Sequence, residues 1–386
     1  MKQKLLVTAS TFPRWEGDTE PRFVLDLSKS LLEYYDVTVL APACPGAKEE
    51  EILEGVKVIR YHYFPIHKWE TLCYPGAIVP RIKEKKIRGL LVPFLFLGLW
   101  WKLLRILPKY DLVHAHWIIP QGIVQSFFKK PYIVTGHGGD IMELNRGIFK
   151  ILKKRVLEKA SCVSVVSNRA KQKLYDLYKI DNVVVQTMGC DTNKFSPDKR
   201  VENYFGQDGK KVILFVGRFV EIKGITYLLK AMEDIDAKLV IVGKGPDESL
   251  IRKQVENLGE KVIFLGSQDH TKLPTIYASS DIFVIPSVTI QGGVTEGSPT
   301  VITEALASGL PVIGTNTGGI PEMIQDGVNG FVVPERNSEI ISEKIKIILG
   351  NSMIYKEFSE NARAYGLKKS YKNVAKAFQI IIEKVK

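Results

Sequence analysis

Cysteine is scarce in this chain, with four in 386 residues: Cys44, Cys73, Cys162 and Cys190. They form no C-x-x-C pair and no metal-ligand spacing, so a disulfide framework and a zinc ribbon are both excluded. The thiols are expected to be buried in a reducing compartment. Long apolar segments are missing too. The uncharged run Gly89–Trp101 has 13 residues and contains Pro93 and Gly98, whereas a spanning helix needs roughly 20. The opening, MKQKLLVTASTF, has only a short apolar run before polar residues; it suits a first strand and not a signal peptide. Acidic side chains are in deficit, 42 against 54 Lys+Arg. No nucleic-acid module signature accompanies that excess of positive charge, so a nucleic-acid partner is not expected.

What remains is a globular composition. Hydrophobic residues make up 45% and charged residues 25%, so disorder is not the default. The length exceeds one core and suits two domains of about 190 residues each. The charge is unevenly placed. Residues 1–196 hold 30 Lys+Arg against 19 Asp+Glu, a net of +11, and the remainder holds 24 against 23, a net of +1. An anionic membrane surface is the partner this asymmetry favours.

Buried-strand runs and helical spacings alternate along the chain. Lys4–Ala9, Val37–Ala41, Val56–Tyr61, Asp111–Ala115, Tyr132–Thr135, Cys162–Ser167 and Val183–Gln186 read as strands of a first domain. Val212–Val216, Leu239–Val242, Val262–Leu265, Asp281–Ile285, Val312–Gly314 and Gly330–Val333 read as strands of a second. Such alternation predicts two doubly wound parallel sheets. The polar stretch 199–210 reads as the linker between them. Gly89–Trp101, with Arg81, Lys83, Lys85, Lys86 and Arg88 before it and Trp100-Trp101 at its end, has two readings. It is either an interfacial segment on a membrane or a helix packed on the first sheet.

Chemistry concentrates from Pro286 to Glu322. A Gly-rich loop carrying Glu296 follows a strand, and Ser298-Pro299 then offers an N-cap with proline at the first helical position. Glu304 follows on the helix, which ends at Gly309. Because proline lacks an N–H, the amides open to an anion are those of Thr300 and Val301, with the helix dipole behind them. Two carboxylates around an anion hole suit a phosphorylated, hydroxyl-rich ligand. Upstream, Gly217-Arg218-Phe219-Val220-Glu221-Ile222-Lys223-Gly224 places Arg218 and Lys223 in one βα loop, a planar fork and a point charge for a diphosphate. Gly243-Lys244-Gly245 lacks the third glycine of a dinucleotide fingerprint. Asp234-Ile235-Asp236 precedes a strand, on the edge of the sheet away from ligands.

Glu296-Gly297, Glu304–Val312 and Gly318-Gly319-Ile320-Pro321-Glu322 together resemble the E-x7-E signature of retaining glycosyltransferases of family 4 (glycosyl transferases group 1). One departure is Pro299, where many members have glycine. The resemblance implies the GT-B fold, two Rossmann-like domains facing a cleft, with residues 1–198 plus about 370–386 in the first domain and 199–369 in the second. Val374–Val385 is the helix expected to return to the first domain. The implied reaction moves a sugar from a nucleotide-sugar donor to a lipid-linked or surface-glycan acceptor without a metal or other cofactor. Arg218 and Lys223 would stabilise the leaving diphosphate, Glu304 would hold ribose hydroxyls, and Glu296 and His137 would position the donor sugar. His137 lies in Gly136-His137-Gly138-Gly139-Asp140. Gly17, in the loop after the first strand, is the expected first-domain approach to the phosphate, although Glu16-Gly17-Asp18 stands where members often have paired glycines. His116, at a strand end, and Asp18 are candidates for acceptor contacts. The expected setting is cytoplasmic and peripheral, on the inner face of the cell membrane. Two alternatives stay open: a soluble enzyme of this fold making a small glycoside or disaccharide phosphate, and a nucleotide-sugar epimerase or binding protein.

Overall fold

Leu5-Leu6-Val7, Leu239–Ile241 and Ile282–Val284 are completely buried. Strands covered on both faces read as unbroken apolar runs, which is the pattern of a parallel sheet. The structure, a computed structural model, describes residues 2–18 and 20–384, the side chain of Asn257 apart. It divides into two units, residues 1–187 with 372–386, and residues 188–371.

The first unit builds an eight-stranded sheet from β1 (Lys4–Thr8), β2 (Asp36–Pro42), β3 (Glu50–Leu53), β4 (Val56–Tyr61), β5 (Leu112–His116), β6 (Tyr132–Gly136), β7 (Cys162–Val165) and β8 (Val183–Val185). Their order is β3-β4-β2-β1-β5-β6-β7-β8. The pairings are parallel except β3–β4. The second unit has β9 (Val212–Val216), β10 (Lys238–Val242), β11 (Val262–Gly266), β12 (Ile282–Ile285), β13 (Val312–Thr315) and β14 (Gly330–Val333). They lie in the order β11-β10-β9-β12-β13-β14, all parallel. Strand order reverses between β1 and β5 in one sheet and between β9 and β12 in the other. In doubly wound sheets ligands bind outside the carboxyl ends of the strands at such a reversal.

Strand β3 was not expected, because Glu50-Glu51 breaks the apolar pattern. It is an edge strand joined to β4 by a tight turn, Glu54-Gly55, with φ of 47° and 90°. Positive φ at both central residues suits the twist of a hairpin. Arg22 and Lys29 bond the Glu54 carboxylate at 2.6 Å each. Burial opposes its ionisation, but these hydrogen bonds prevail and hold its pKa at about 2.

The stretch 199–210 is not a free linker. Arg200 donates to the carbonyls of Ala278 and Ser280, at 3.2 and 3.0 Å, and Lys238 to that of Phe205 at 2.8 Å. Cys190 pairs with Ser370 in an isolated bridge, so the chain changes unit at 187/188 and again at 371/372. The final helix, Tyr371–Lys384, packs Phe378 on His114 of the first sheet, ring centroids 4.8 Å apart. Val385 lies outside the described residues.

The apolar segment resolves into one helix with two uses. Continuous helical backbone over Lys86–Lys109 spans 24 residues, long and apolar enough by length and composition alone to cross a membrane. The 13-residue count stopped short because Lys102 ends the uncharged run but not the helix. Within it, Val92–Ile106 turns Leu95, Leu99, Leu103 and Ile106 into the core, a stripe at helical spacing. The opposite face leaves Leu97 62% and Trp101 51% exposed, together with Leu90, Phe94 and Leu104. Gly98 sits where the helix crosses the end of β4. A Cβ there would lie 2.8 Å from the His62 carbonyl oxygen and the Tyr63 Cα. Gly98→Ala should therefore destabilise the first domain by about 1–3 kcal/mol, measured as a lower denaturant midpoint; an unchanged midpoint would mean the helix is not seated this closely.

Candidate active site

In the second domain the loops leaving β9 and β12 emerge side by side, because those strands are paired, Ile282 beside Ile213 and Phe283 beside Leu214. The Val288 amide donates to the Ile222 carbonyl at 2.8 Å, joining the two loops. On this seam Lys223 Nζ and Glu296 Oε1 form an ion pair at 2.8 Å, with 16% and 13% of their side chains exposed. Arg218, in the same loop as Lys223, is exposed. Gly318, in the turn after β13, holds the backbone of Glu296. It has φ of 60°, a Cβ there would lie 2.1 Å from the Glu296 carbonyl oxygen, and the next amide, of Gly319, donates to that oxygen at 3.3 Å.

Glu304 lies on the helix Thr300–Ala307, where its Oε2 accepts the Tyr277 hydroxyl at 3.0 Å. The helix starts one residue later than Ser298-Pro299 suggested. Pro299 is itself the N-cap, and the Ser298 hydroxyl points at Met323 Sδ, 3.3 Å away. Thr300 and Val301 still supply the first amides of the helix, which have no intrahelical acceptor. Thr289, at the exit of β12, is anchored by Glu335, whose carboxylate accepts its hydroxyl at 2.7 Å and its amide at 2.5 Å.

In the first domain Asp140 ties two strand ends together. One of its oxygens accepts the Ile118 amide beyond β5 at 2.8 Å, and the other accepts the amides of His137 and Gly138 beyond β6 at 2.9 and 3.0 Å. Burial pushes its carboxyl pKa up in spite of these bonds. Lys153, completely buried, donates to Asn145 Oδ1 at 2.9 Å and to the Glu143 carbonyl. Burial lowers its pKa to about 8.

Above this knot the imidazoles of His114, His116 and His137 lie in file. His114 Nε2 meets Thr135 Oγ1 at 2.8 Å, and His116 Nδ1 meets His137 Nε2 at 3.0 Å. The ring of Phe23 lies 5.0 Å and that of Trp117 4.9 Å from His137. Trp117 has φ of 72°, a conformation that a bulky residue holds only when its surroundings enforce it. Burial lowers the pKa of both His114 and His137 to about 3, and the His114 charge adds to the effect at His137.

Several sequence expectations change here. His116 is completely buried and gives its Nδ1 to His137, so its ring is not presented to an acceptor. Asp18 is likewise committed. Both its oxygens serve Arg14, at 2.5 Å to the guanidinium and 2.8 Å to the amide. Gly17, with φ of 80°, stands exposed at the tip of that loop. Arg60, on β4, secures the loop by donating to the carbonyls of Pro13 and Arg14 at 3.1 and 3.0 Å. The glycines of Gly243-Lys244-Gly245 have a packing role, since a Cβ on Gly243 would lie 1.9 Å from the Gly217 carbonyl oxygen. Asp236 pairs with Lys210 at 2.7 Å on the surface, just before β10. Among the described residues no three His, Cys, Asp or Glu side chains gather as a metal site.

Two Rossmann-like sheets in tandem, the second carrying a basic loop and two glutamates at its reversal, define the GT-B architecture of sugar-transferring enzymes. The chain belongs to the family 4, or group 1, glycosyltransferases: residues 21–194 match Glycosyltransferase Family 4 and residues 198–365 match Glycosyl transferases group 1. It is 30% identical over 294 residues to MJ1607, an uncharacterized glycosyltransferase of Methanocaldococcus jannaschii, covering 69% of this chain and 74% of that one. Identity is 24% over 360 residues to the GDP-mannose-dependent alpha-(1-6)-phosphatidylinositol monomannoside mannosyltransferase of Mycolicibacterium smegmatis, covering 90% and 89%. Among solved structures, sucrose-phosphate synthase of Thermosynechococcus elongatus superposes with a TM-score of 0.80 at 20% identity, over 100% of this chain and 99% of that one. HepE of Anabaena, in complex with UDP, does so with 0.74 at 18%, over the whole of both chains.

The neutral histidines make stability depend on pH. Their folded pKa of about 3 lies below the unfolded value of about 6.5, so acid protonates the unfolded chain before the fold, and stability falls as pH drops below about 6.5. Between pH 7 and 5 each such histidine should cost about 1–2 kcal/mol. His114→Gln, which keeps a partner for Thr135, should remove one share of that slope in thermal unfolding curves. An identical slope would show that His114 titrates normally.

Proposed function

We propose that this glycosyltransferase moves a sugar from a nucleoside-diphosphate donor, with retention at the anomeric carbon, to a lipid-linked or surface-glycan acceptor while docked from the cytoplasm on the anionic inner face of the cell membrane. The observation that carries the donor half is the Lys223–Glu296 pair at the β9/β12 reversal. As the bond from the anomeric carbon to the diphosphate oxygen breaks, negative charge grows on the leaving group. Lys223, Arg218 and the Thr300 and Val301 amides offset it, and electrostatic groups already in place are worth most when the charge appears only in the transition state. On donor binding Lys223 exchanges the Glu296 carboxylate for a phosphate oxygen, which frees Glu296 for the sugar. Glu304, oriented by Tyr277, takes the ribose hydroxyls, Gly17 approaches the phosphate, and His137 meets a sugar hydroxyl. The acceptor oxygen attacks on the face the diphosphate leaves, and its proton passes to the diphosphate oxygen. No metal is required, because fixed cations supply the charge.

The membrane half rests on the exposed face of Val92–Ile106. Phe94, Leu97, Trp101 and Leu104 lie open there, with exposed Leu90 just before it, and Arg105 stacks on Trp101 at 4.5 Å. Lys83, Lys85 and Lys86 stand just ahead of the helix. A helix lying in the interface buries such a face among acyl chains with its basic residues at the headgroups, each worth about 1 kcal/mol and weakened by salt. The mannosyltransferase relative acts, by its name, on a phosphatidylinositol mannoside, an acceptor of this kind.

The test is transfer from labelled UDP-, GDP- and ADP-sugars to extracted lipid acceptors, with the product's anomeric configuration read by NMR. An α-configured product from an α-donor, formed only with acceptor present and unaffected by EDTA, is expected. Inversion, acceptor-free isomerisation or loss of activity in EDTA would each contradict the corresponding part. Lys223→Ala should lower kcat more than donor affinity, whereas Glu304→Ala should weaken donor binding by about 1–3 kcal/mol; an unchanged donor affinity would remove Glu304 from the site. In flotation with anionic vesicles the wild type should bind at low salt. Replacing Leu97 and Trp101 together by serine should release it with an unchanged unfolding midpoint. No binding by the wild type would leave a soluble enzyme with a small acceptor.

A further inference from the structure

His116 closes β5 with its ring wholly inside the first domain. Its Nδ1 lies 3.0 Å from His137 Nε2, with the ring centroids 5.2 Å apart and the rings within 15° of parallel. Its other nitrogen, Nε2, is buried with no hydrogen-bond partner among the described residues. Each neutral imidazole carries one proton, so a bond between two of them has only two arrangements. If His137 donated, His116 would hold its proton on Nε2, and a buried N–H would have no acceptor. If His116 donates from Nδ1, only a lone pair is left unmet, and an orphaned buried N–H is the rarer of the two defects. His137 then carries its own proton on Nδ1, the one ring nitrogen not engaged by His116.

We propose that His116 is a positioning residue that fixes His137 as the Nδ1–H tautomer, so that His137 offers a single hydrogen-bond donor to an oxygen of the substrate and acts neither as a base nor as a mobile cation. This rests on the reading of His137 as a sugar contact, but the arrangement of protons does not. It also accounts for a fully buried polar side chain at the end of a core strand, where an aliphatic residue would pack without an unmet nitrogen. His114, 4.3 Å behind His116, bonds Thr135 instead and does not compete for the link.

The experiment is long-range 1H–15N correlation on full-length protein labelled at histidine, of which the chain has six. His137 is assigned by its loss in His137→Gln. In the wild type, His137 should show a protonated Nδ1 and a bare Nε2 from pH 8 to 6. His116→Leu should give His137 a mixture of tautomers and lower kcat about tenfold with little change in donor KM. His116→Asn, whose amide nitrogen stands where Nδ1 stood, should restore both. A wild-type His137 protonated on Nε2, or a single unchanged tautomer in His116→Leu, would overturn the proposal. Because the wild-type spectrum decides by itself, a variant that fails to fold leaves the test intact. If no sugar transfer is found while the spectrum is as expected, the functional reading fails and the tautomer assignment stands.

Discussion

Two loops meet in the second domain because two strands pair, and the Lys223–Glu296 ion pair is the chemical result. Without the β9–β12 pairing, Lys223 and Glu296 would belong to unrelated surface loops. With it, they form one half-buried site, and Gly318 and Glu335 brace the second loop from neighbouring strands. Such a pair is weak evidence of stability, since desolvation cancels much of its attraction. Its value lies in keeping a cation and a carboxylate in place at the strand reversal. Under the proposed function, a phosphate arriving there would replace one anion with another, so the site would need little rearrangement to accept it.

The first domain solves a different problem. It must hold aromatic and imidazole rings at a strand end with the imidazoles uncharged. Asp140 fastens both loops by their amides, Lys153 closes the turn beneath, and the histidines above stay neutral. Phe23 and Trp117 complete the wall around His137. The exposed face of the helix Val92–Ile106 belongs to this same domain, as does nearly all the excess positive charge of the chain.

Most of the architecture was legible in the sequence, because parallel strands buried on both faces announce themselves as apolar runs. Charged β3 did not, and the Glu54-Gly55 turn was its only local signal. Arg218, Lys223, Glu296 and Glu304 stood out through family resemblance, and the Lys223–Glu296 contact follows from strand order, which no local pattern reveals. His116 and Asp18 were read as acceptor contacts from their positions at strand and loop ends. Sequence position cannot say that a ring turns inward or that a nearby arginine claims both oxygens of a carboxylate. Arg60, Asp140, Trp117 and Tyr277 went unassigned for the same reason, since their partners lie on other strands or helices.

The proposed chemistry requires that the second domain's basic loop receives a diphosphate. Calorimetric titration of the enzyme with UDP, GDP, ADP and dTDP at two salt concentrations measures this directly. At least one should bind, with an affinity that falls as salt rises, because fixed cations meet a polyanion whose attraction is screened. Absence of binding by all four, or an affinity indifferent to salt, would contradict it.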